Sequence, residues 1–209
     1  LPGSTQPIFS DNGSVLIHNG EIYNFEEIKK NNDMYDWKTK GDSESILALH
    51  SKYTKNLEKV IPGDEIQKSG ILVSKGFNLN DNPAKIHNEW IQKLDGVWGF
   101  ALWDSKRNEL ILSRDPMGVK PLTRTIAGNS LLVASELKAF SAHPDYLPKF
   151  DFNALNIRLA YEYNLDRTTL IEGVTQVGAG VIETWSLNDS GFPVLTGISK
   201  YSKTNNQLS

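Results

Sequence analysis

The chain has 209 residues, 39% of them hydrophobic and 22% charged, which fits one large globular domain or two small ones. The net charge is −3 and no face-sized basic cluster occurs, which argues against nucleic acid or an anionic membrane as partner. There is no cysteine, which excludes disulfides, thiolate metal sites and a cysteine nucleophile within these residues. No apolar run approaches the roughly 20 residues that span a bilayer and no signal-peptide pattern opens the chain, so the expected location is cytoplasmic. His18, His50, His87 and His143 are far apart and lack ligand spacing. They are expected to be surface or packing histidines, with no metal site.

Taken in order, Leu1 to Gly13 is turn-rich. Ser14-Val15-Leu16-Ile17 is a short apolar run that predicts a buried strand. His18-Asn19-Gly20-Glu21-Ile22-Tyr23-Asn24 follows. Asn24 stands three residues before Glu27, the spacing of a capping box, so a helix is expected from there. Asn19-Gly20 then falls at the end of a strand, either as a tight turn or as a place where glycine admits a ligand close to the backbone. An asparagine amide there offers both a donor and an acceptor.

Lys29 to Lys40 is polar, with Trp37 as an anchor. Gly41-Asp42-Ser43-Glu44-Ser45 leads into Ile46, Leu49 and Tyr53 at helical spacing, with Asp42 or Ser43 as candidate N-cap. Residues 54–88 are the least patterned stretch. They are expected to form an insertion or an extended loop, with one strand at Ile71-Leu72-Val73 and a helix from Ala84 to Lys93.

Val97 to Trp103 is apolar at consecutive positions, a strand covered on both faces, and Glu109 to Ser113 pairs back on it as a hairpin. Asp115-Pro116-Met117-Gly118 has the signature of a type I turn. Arg114, just before it, suits bracing of that turn better than ligand contact, because its planar fork donates several hydrogen bonds. Pro121 to Ile126 and Ser130 to Ala134 predict a second hairpin across Gly128-Asn129, and a short helix follows at Glu136 to Phe140. Phe152, Leu155, Leu159 and Tyr163 have 3–4 spacing, so Asp151 to Tyr163 is a predicted helix with Asp151 as cap. Val174 to Val177 and Val181 to Trp185 are extended, and Asn188-Asp189-Ser190-Gly191 is a hairpin turn. The expected division is one domain over 1–198, with a polar, frayed tail over 199–209. Many strands, few helices and no βαβ alternation point to an α+β fold, a four-layer α-β-β-α sandwich rather than a doubly wound sheet.

Six stretches, in order, carry a resemblance. They are Asn19-Gly20-Glu21-Ile22-Tyr23-Asn24, Gly41-Asp42-Ser43-Glu44, Leu94 to Asp104, Ser113 to Leu122, Ala134-Ser135-Glu136-Leu137-Lys138-Ala139-Phe140, and Thr169 to Val174. Together they resemble the glutamine amidotransferase domain of glutamine-hydrolysing asparagine synthetase, over nearly the whole chain except 54–88. The resemblance implies an N-terminal-nucleophile hydrolase fold. It implies that Asn19 and Gly20 form the oxyanion hole, that Asp42 binds the α-ammonium of glutamine with help from Glu21, and that Arg114 and Asp115 brace the site from behind. The implied function is ammonia release from glutamine for an acceptor such as aspartate.

The chain also departs from that pattern. The family begins with a cysteine whose thiol attacks the carboxamide and whose own α-amine is the base. No cysteine is present here, the early arginine that grips the substrate carboxylate is absent, and Leu1 aligns inside the domain. The expected fold is therefore truncated at its N-terminus, and the chain alone is expected to be catalytically incomplete. Ser4 and Thr5 are poor substitutes, since neither is first in the chain. Thr123-Arg124 replaces a frequent aromatic pair. No Ser-Gly-Gly-x-Asp-Ser pyrophosphate loop occurs, so ATP and magnesium would belong to a synthetase domain elsewhere, and no cofactor is expected in this one. The expected partners are glutamine, a segment or chain that completes the sheet, and a synthetase domain, with self-association open. The alternative is a degenerate, non-catalytic module that keeps the fold for binding or structure.

Overall fold

The computed structural model describes residues 5–55, 65–68, 71–74, 82–163 and 167–201. Two sheets carry it. The larger is eight-stranded and contains, in chain order, β1 (Ile8–Phe9), β2 (Val15–Ile22), β3 (Glu65–Lys68), β4 (Ile71–Ser74), β5 (Gly96–Asp104), β6 (Glu109–Arg114), β10 (Val181–Leu187) and β11 (Pro193–Lys200). Its spatial order is β1-β2-β5-β6-β10-β11-β4-β3. The smaller sheet is β8 (Ser130–Ala134), β7 (Thr123–Ala127) and β9 (Thr175–Gln176), in that order.

Side chains of β5 alternate between two cores, as the unbroken apolar run requires. Trp98, Phe100 and Leu102 enter one core with Leu16, Ile46, Leu49, Trp90 and Ile91, between the large sheet and the helices. Ala101 enters the other with Leu112, Leu122, Val177 and Trp185, between the two sheets. The helices against the large sheet are α1 (Phe25–Lys30), α2 (Glu44–Thr54), α3 (Pro83–Ile86) and α4 (Asn88–Ile91). The single helix expected over Ala84 to Lys93 is broken at His87. A 3₁₀ helix over Leu137–Ala142 and α5 (Phe152–Tyr161) follow β8. The expected α+β architecture of stacked sheets and helices is the one observed.

Several local expectations are corrected. Asn19 and Gly20 do not form a turn at a strand end; they lie inside β2, opposite Gly99 and Trp98. Asn24 does not close a capping box. Its amide donates to the Lys93 carbonyl at 2.9 Å and accepts from the Asp95 N–H at 2.9 Å, tying α1 to the approach of β5. Asp151 does cap α5, accepting from the Ala154 N–H at 2.9 Å. The apolar stripe of that helix faces outward, with Phe152 71% and Leu159 74% exposed. Ser199 and Lys200 are not frayed: they pair with Ile182 and Val181, and Tyr201 is buried against Trp98, its hydroxyl donating to the Arg114 carbonyl at 2.6 Å. The strand expected at Ile71 is β4, whereas 56–64, 69–70, 75–81 and 202–209 lie outside the described residues.

A buried polar network fixes the helices to the β5–β6 hairpin. Trp90 Nε1 donates to His87 Nδ1 at 3.0 Å, and His87 Nε2 lies 3.1 Å from Glu109 Oε2. Arg107 Nε donates to the same oxygen at 3.1 Å. His50 Nε2 stands 3.3 Å from Asp104. Burial lowers the affinity of His50 for a proton, although the Asp104 carboxylate pulls the other way. Burial alone would push the Glu109 carboxyl up, but His87 and Arg107 outweigh it and hold it below the usual range. These histidines therefore pack, as expected.

Candidate functional site

Asn19 is the one predicted substrate-binding residue placed where the two sheets meet. Asn19 is half-buried on the face of β2 that looks toward the small sheet, and its Nδ2 donates to Ser135 Oγ at 3.0 Å, across from one sheet to the end of the other. Gly99, opposite Asn19 in the ladder, makes this close approach feasible: a Cβ on it would stand 3.0 Å from the Pro121 carbonyl oxygen and 3.3 Å from Leu122 Cβ. A cavity of about 130 Å³ opens beside this contact, lined among others by Gln6, His18, Asn19, Leu122 and Ser135. A larger cavity of about 420 Å³, around Thr125, Asp145 and Glu172, shares no residue with it and contains none of Asn19, Gly20, Glu21, Asp42, Arg114 and Asp115.

Gly20 follows on β2 with φ +155°, and a Cβ there would lie 2.1 Å from the Val97 carbonyl oxygen. Only glycine fits this backbone. Asp42, the residue before the Ser43 that precedes α2, does not cap the helix with its side chain. It reaches back to accept the Ile22 N–H at 2.7 Å, two residues after Gly20. Gly20 and Asp42 thus lie close together, although neither they nor Glu21 line the 130 Å³ cavity. Glu21 is exposed on β2.

Behind them stand Arg114 and Asp115. Arg114 Nε donates to the Lys120 carbonyl at 2.7 Å, Nη2 to that of Gly118 at 2.6 Å, and Nη1 to Val177 O and Gln176 Oε1 at 3.1 Å each. The buried Asp115 carboxylate accepts from the N–H groups of Met117, Val119 and Lys120. The pair holds the backbone of four successive residues, Met117 to Lys120, and ties them to Val177, the bracing that its residue types suggested, and Gly118 N–H closes the turn on Asp115 O at 3.0 Å.

Sequence reasoning missed three side chains here. Gln6 clamps β2, its amide donating to the His18 carbonyl at 2.7 Å and accepting the His18 N–H at 2.6 Å. His18 puts Nδ1 2.8 Å from Ser43 Oγ and its unpaired Nε2 2.8 Å from where a Gly20 Cβ would be. It was legible only as a neighbour of the motif. Ser135 sits in the quoted Ala134 to Phe140 stretch but carries no mark that separates it from any other serine.

His18 is 7% exposed, and burial lowers its pKa to about 4; Lys120 adds to the fall and Asp42 opposes it. An unfolded chain takes up a proton near pH 6.5 that the folded one refuses until about 4. Stability from this residue is present above 6.5 and is lost as pH falls toward 4, by about 3 kcal/mol in all. Urea titrations at pH 7.5, 6, 5 and 4 should show a shallower acid loss in His18→Gln than in the native chain; equal slopes would contradict this.

Comparison with known proteins places the chain in a family. A family model described as a glutamine amidotransferase domain matches residues 83–193, and a second with the same description matches 1–64. Asparagine synthetase [glutamine-hydrolyzing] 3 of Bacillus subtilis is 29% identical over 163 residues, covering 75% of this chain and 21% of that protein. Amidase chry2 of Gibberella zeae is 29% identical over 181 residues, covering 86% of this chain and 22% of that protein. The chain spans about a fifth of the length of these relatives. Among solved structures, glutamine phosphoribosylpyrophosphate amidotransferase from B. subtilis superposes with a TM-score of 0.53 at 20% identity, over 95% of this chain and 32% of that one. That likeness shows the fold, which is related to the N-terminal-nucleophile glutaminase fold. No cysteine occurs in the 209 residues, so the thiol nucleophile of such a reaction is not among them. With its fold, its motif and its relatives in agreement, the chain belongs to the glutamine amidotransferase domain family, as a glutaminase-like domain homologous to those of asparagine synthetases.

Proposed function

We propose that this domain holds glutamine at the Asn19-Gly20 strand and serves the glutaminase half of a longer, asparagine-synthetase-like amidotransferase. The observation that carries the reading is the Asn19 amide in the wall of the inter-sheet cavity, with the Asp42 carboxylate held by the Ile22 N–H three residues farther along the same strand. In the proposed reaction a thiolate from outside these residues adds to the carboxamide carbon of glutamine. The carbonyl oxygen takes the negative charge, and Asn19 Nδ2 and the Gly20 N–H stabilise it. The intermediate collapses to a thioester as the proton taken from the thiol passes to the nitrogen, which leaves as ammonia, and water then hydrolyses the thioester to glutamate and frees the thiol. Losing one such donor costs on the order of 10²–10³ in turnover. Asp42 would bind the α-ammonium and Glu21 would orient it, while Arg114 and Asp115 keep the wall rigid. Ammonia would pass to an acceptor such as aspartate in a synthetase domain that holds ATP and magnesium; no cofactor is assigned to this domain. The cytosol is the proposed compartment, and among the described residues no helix is long and apolar enough to cross a membrane.

The uncovered surface supports a completing polypeptide. Leu131, Leu132 and Val133 on β8, at the edge of the small sheet, are only half-buried, and Phe9, Phe150 and Phe152 are exposed. An open apolar edge invites pairing with another strand.

Calorimetric titration of L-glutamine into the chain should give weak binding without ammonia release. Asp42→Ala should weaken that binding at least about tenfold, the loss of one charge-assisted hydrogen bond. Adding a Cys-led segment, as a peptide or a fusion, should restore ammonia release. Turnover by the chain alone, or no glutamine binding with or without the segment, would refute the reading. A folded, glutamine-free and inert fusion is the result that the degenerate-module alternative requires.

A further inference from the structure

We infer that Ser135 is a positioning residue of this site: its hydroxyl holds the Asn19 carboxamide in the orientation that leaves one Nδ2 hydrogen free for the ligand oxygen. The inference rests on the glutamine reading for its consequence, and on the contact between the two sheets for its substance.

Asn19 Nδ2 carries two hydrogens. One points to Ser135 Oγ at 3.0 Å. With that direction fixed by the hydroxyl, the planar amide has a single rotation about its last bond, and the second hydrogen has a single direction. An asparagine without such a partner turns freely about that bond, so it must lose that freedom when it binds an oxygen.

Ser135 is itself well anchored. The residue before it, Ala134, ends β8, pairs with Thr123 and has its carbonyl bonded by Thr123 Oγ1 at 2.7 Å. The residue after it, Glu136, is extended and starts the 3₁₀ helix, whose Phe140 is buried. Across the gap, Asn19 is held in register on β2, and the Gln6 amide brackets the backbone of its neighbour His18. Asn19 therefore sits in a strand and Ser135 in the two-residue bend between β8 and the 3₁₀ helix, and Gly99 lets the sheets approach at this point. The same hydroxyl lines the 130 Å³ cavity. A purely structural serine would satisfy backbone groups of its own loop, whereas this one spends its bond on the side chain proposed to meet substrate.

The test compares Ser135→Ala, and the isosteric pair Ser135→Thr and Ser135→Val, in the full chain. The Asn19 carboxamide signals in ¹⁵N–¹H spectra are identified by their loss in Asn19→Ala. They should shift and broaden in Ser135→Ala and Ser135→Val and stay in place in Ser135→Thr. The glutamine dissociation constant should rise about tenfold in the Ala and Val variants and stay within about twofold in the Thr variant. In an Asn19→Ala background, Ser135→Val should add nothing further. Unmoved Asn19 signals, or an equal loss of affinity with and without the Asn19 amide, would overturn the inference. Should the native chain bind no glutamine, the proposed function fails, and the carboxamide signals still decide whether Ser135 orients Asn19.

Discussion

Gly20→Ala is expected to cost on the order of 3 kcal/mol or more of folding stability, the sum of a strained backbone and an overpacked contact. The residue sits at φ +155° in the interior of β2, and the added methyl would meet the Val97 carbonyl oxygen at 2.1 Å and Trp98 Cα at 2.8 Å. Both are backbone atoms of the neighbouring strand, so no rotamer change relieves the clash. The ladder between β2 and β5 must part at the pair Gly20–Trp98, and Trp98 is fully buried. Gly96, facing Ile22 with φ +150° and 2.1 Å from the Glu21 carbonyl oxygen in the same construction, should behave alike. The check is the urea midpoint of each variant against the native chain. A loss below about 1 kcal/mol would show that the strand absorbs the methyl by sliding.

Glu183→Ala should cost about 3–5 kcal/mol, because it strands the buried Arg124 charge, and Arg124→Ala somewhat less, because the half-exposed Arg167 Nη1 remains 3.6 Å from Glu183 Oε1. Arg124 donates from Nε and Nη2 to the two oxygens of Glu183, the latter at 3.1 Å, and its guanidinium lies 4.9 Å from the Trp185 ring centre. Glu183 is wholly inaccessible and also accepts from Trp185 Nε1 at 3.2 Å. Replacing both partners with alanine should cost far less than the two single losses combined, since neither charge of the pair is then stranded. Urea unfolding of the three variants completes the cycle. Additive losses would mean that the pair is not coupled.

This pair also marks a limit of sequence reading. Thr123-Arg124 stood out as a departure, but nothing in the sequence said that Glu183, 59 residues later, is its counter-ion. Local signals carried most of the fold. The hairpins at 97–113 and 121–134, the turn at 115–118 and the cap at Asp151 follow from alternation, turn chemistry and capping, all of which act over a few residues. Failures occurred where a distant chain intervened. Asn19-Gly20 looks like a turn until β5 pairs with it, Asn24 looks like a cap until Lys93 and Asp95 take its amide, and Asp42 looks like a cap until Ile22 N–H claims it. Tyr201 looked like part of a polar tail because its ring partner, Trp98, is 103 positions away. In the site, Asn19, Gly20 and Asp42 were visible through their motif, whereas Ser135 and His18 owe their places to contacts that no spacing encodes.

The network under α2 and α4 has a direction. An indole nitrogen can only give its hydrogen, so the His87 nitrogen facing Trp90 must offer a lone pair, and the opposite nitrogen must carry the hydrogen that Glu109 receives. Glu109, receiving from Arg107 as well, is left with no hydrogen to give on that oxygen. The helical layer therefore mates with the hairpin as a polarised chain of gifts, running from ring to ring to carboxylate. A hydrogen on His87 Nδ1 instead would set two donors face to face at Trp90.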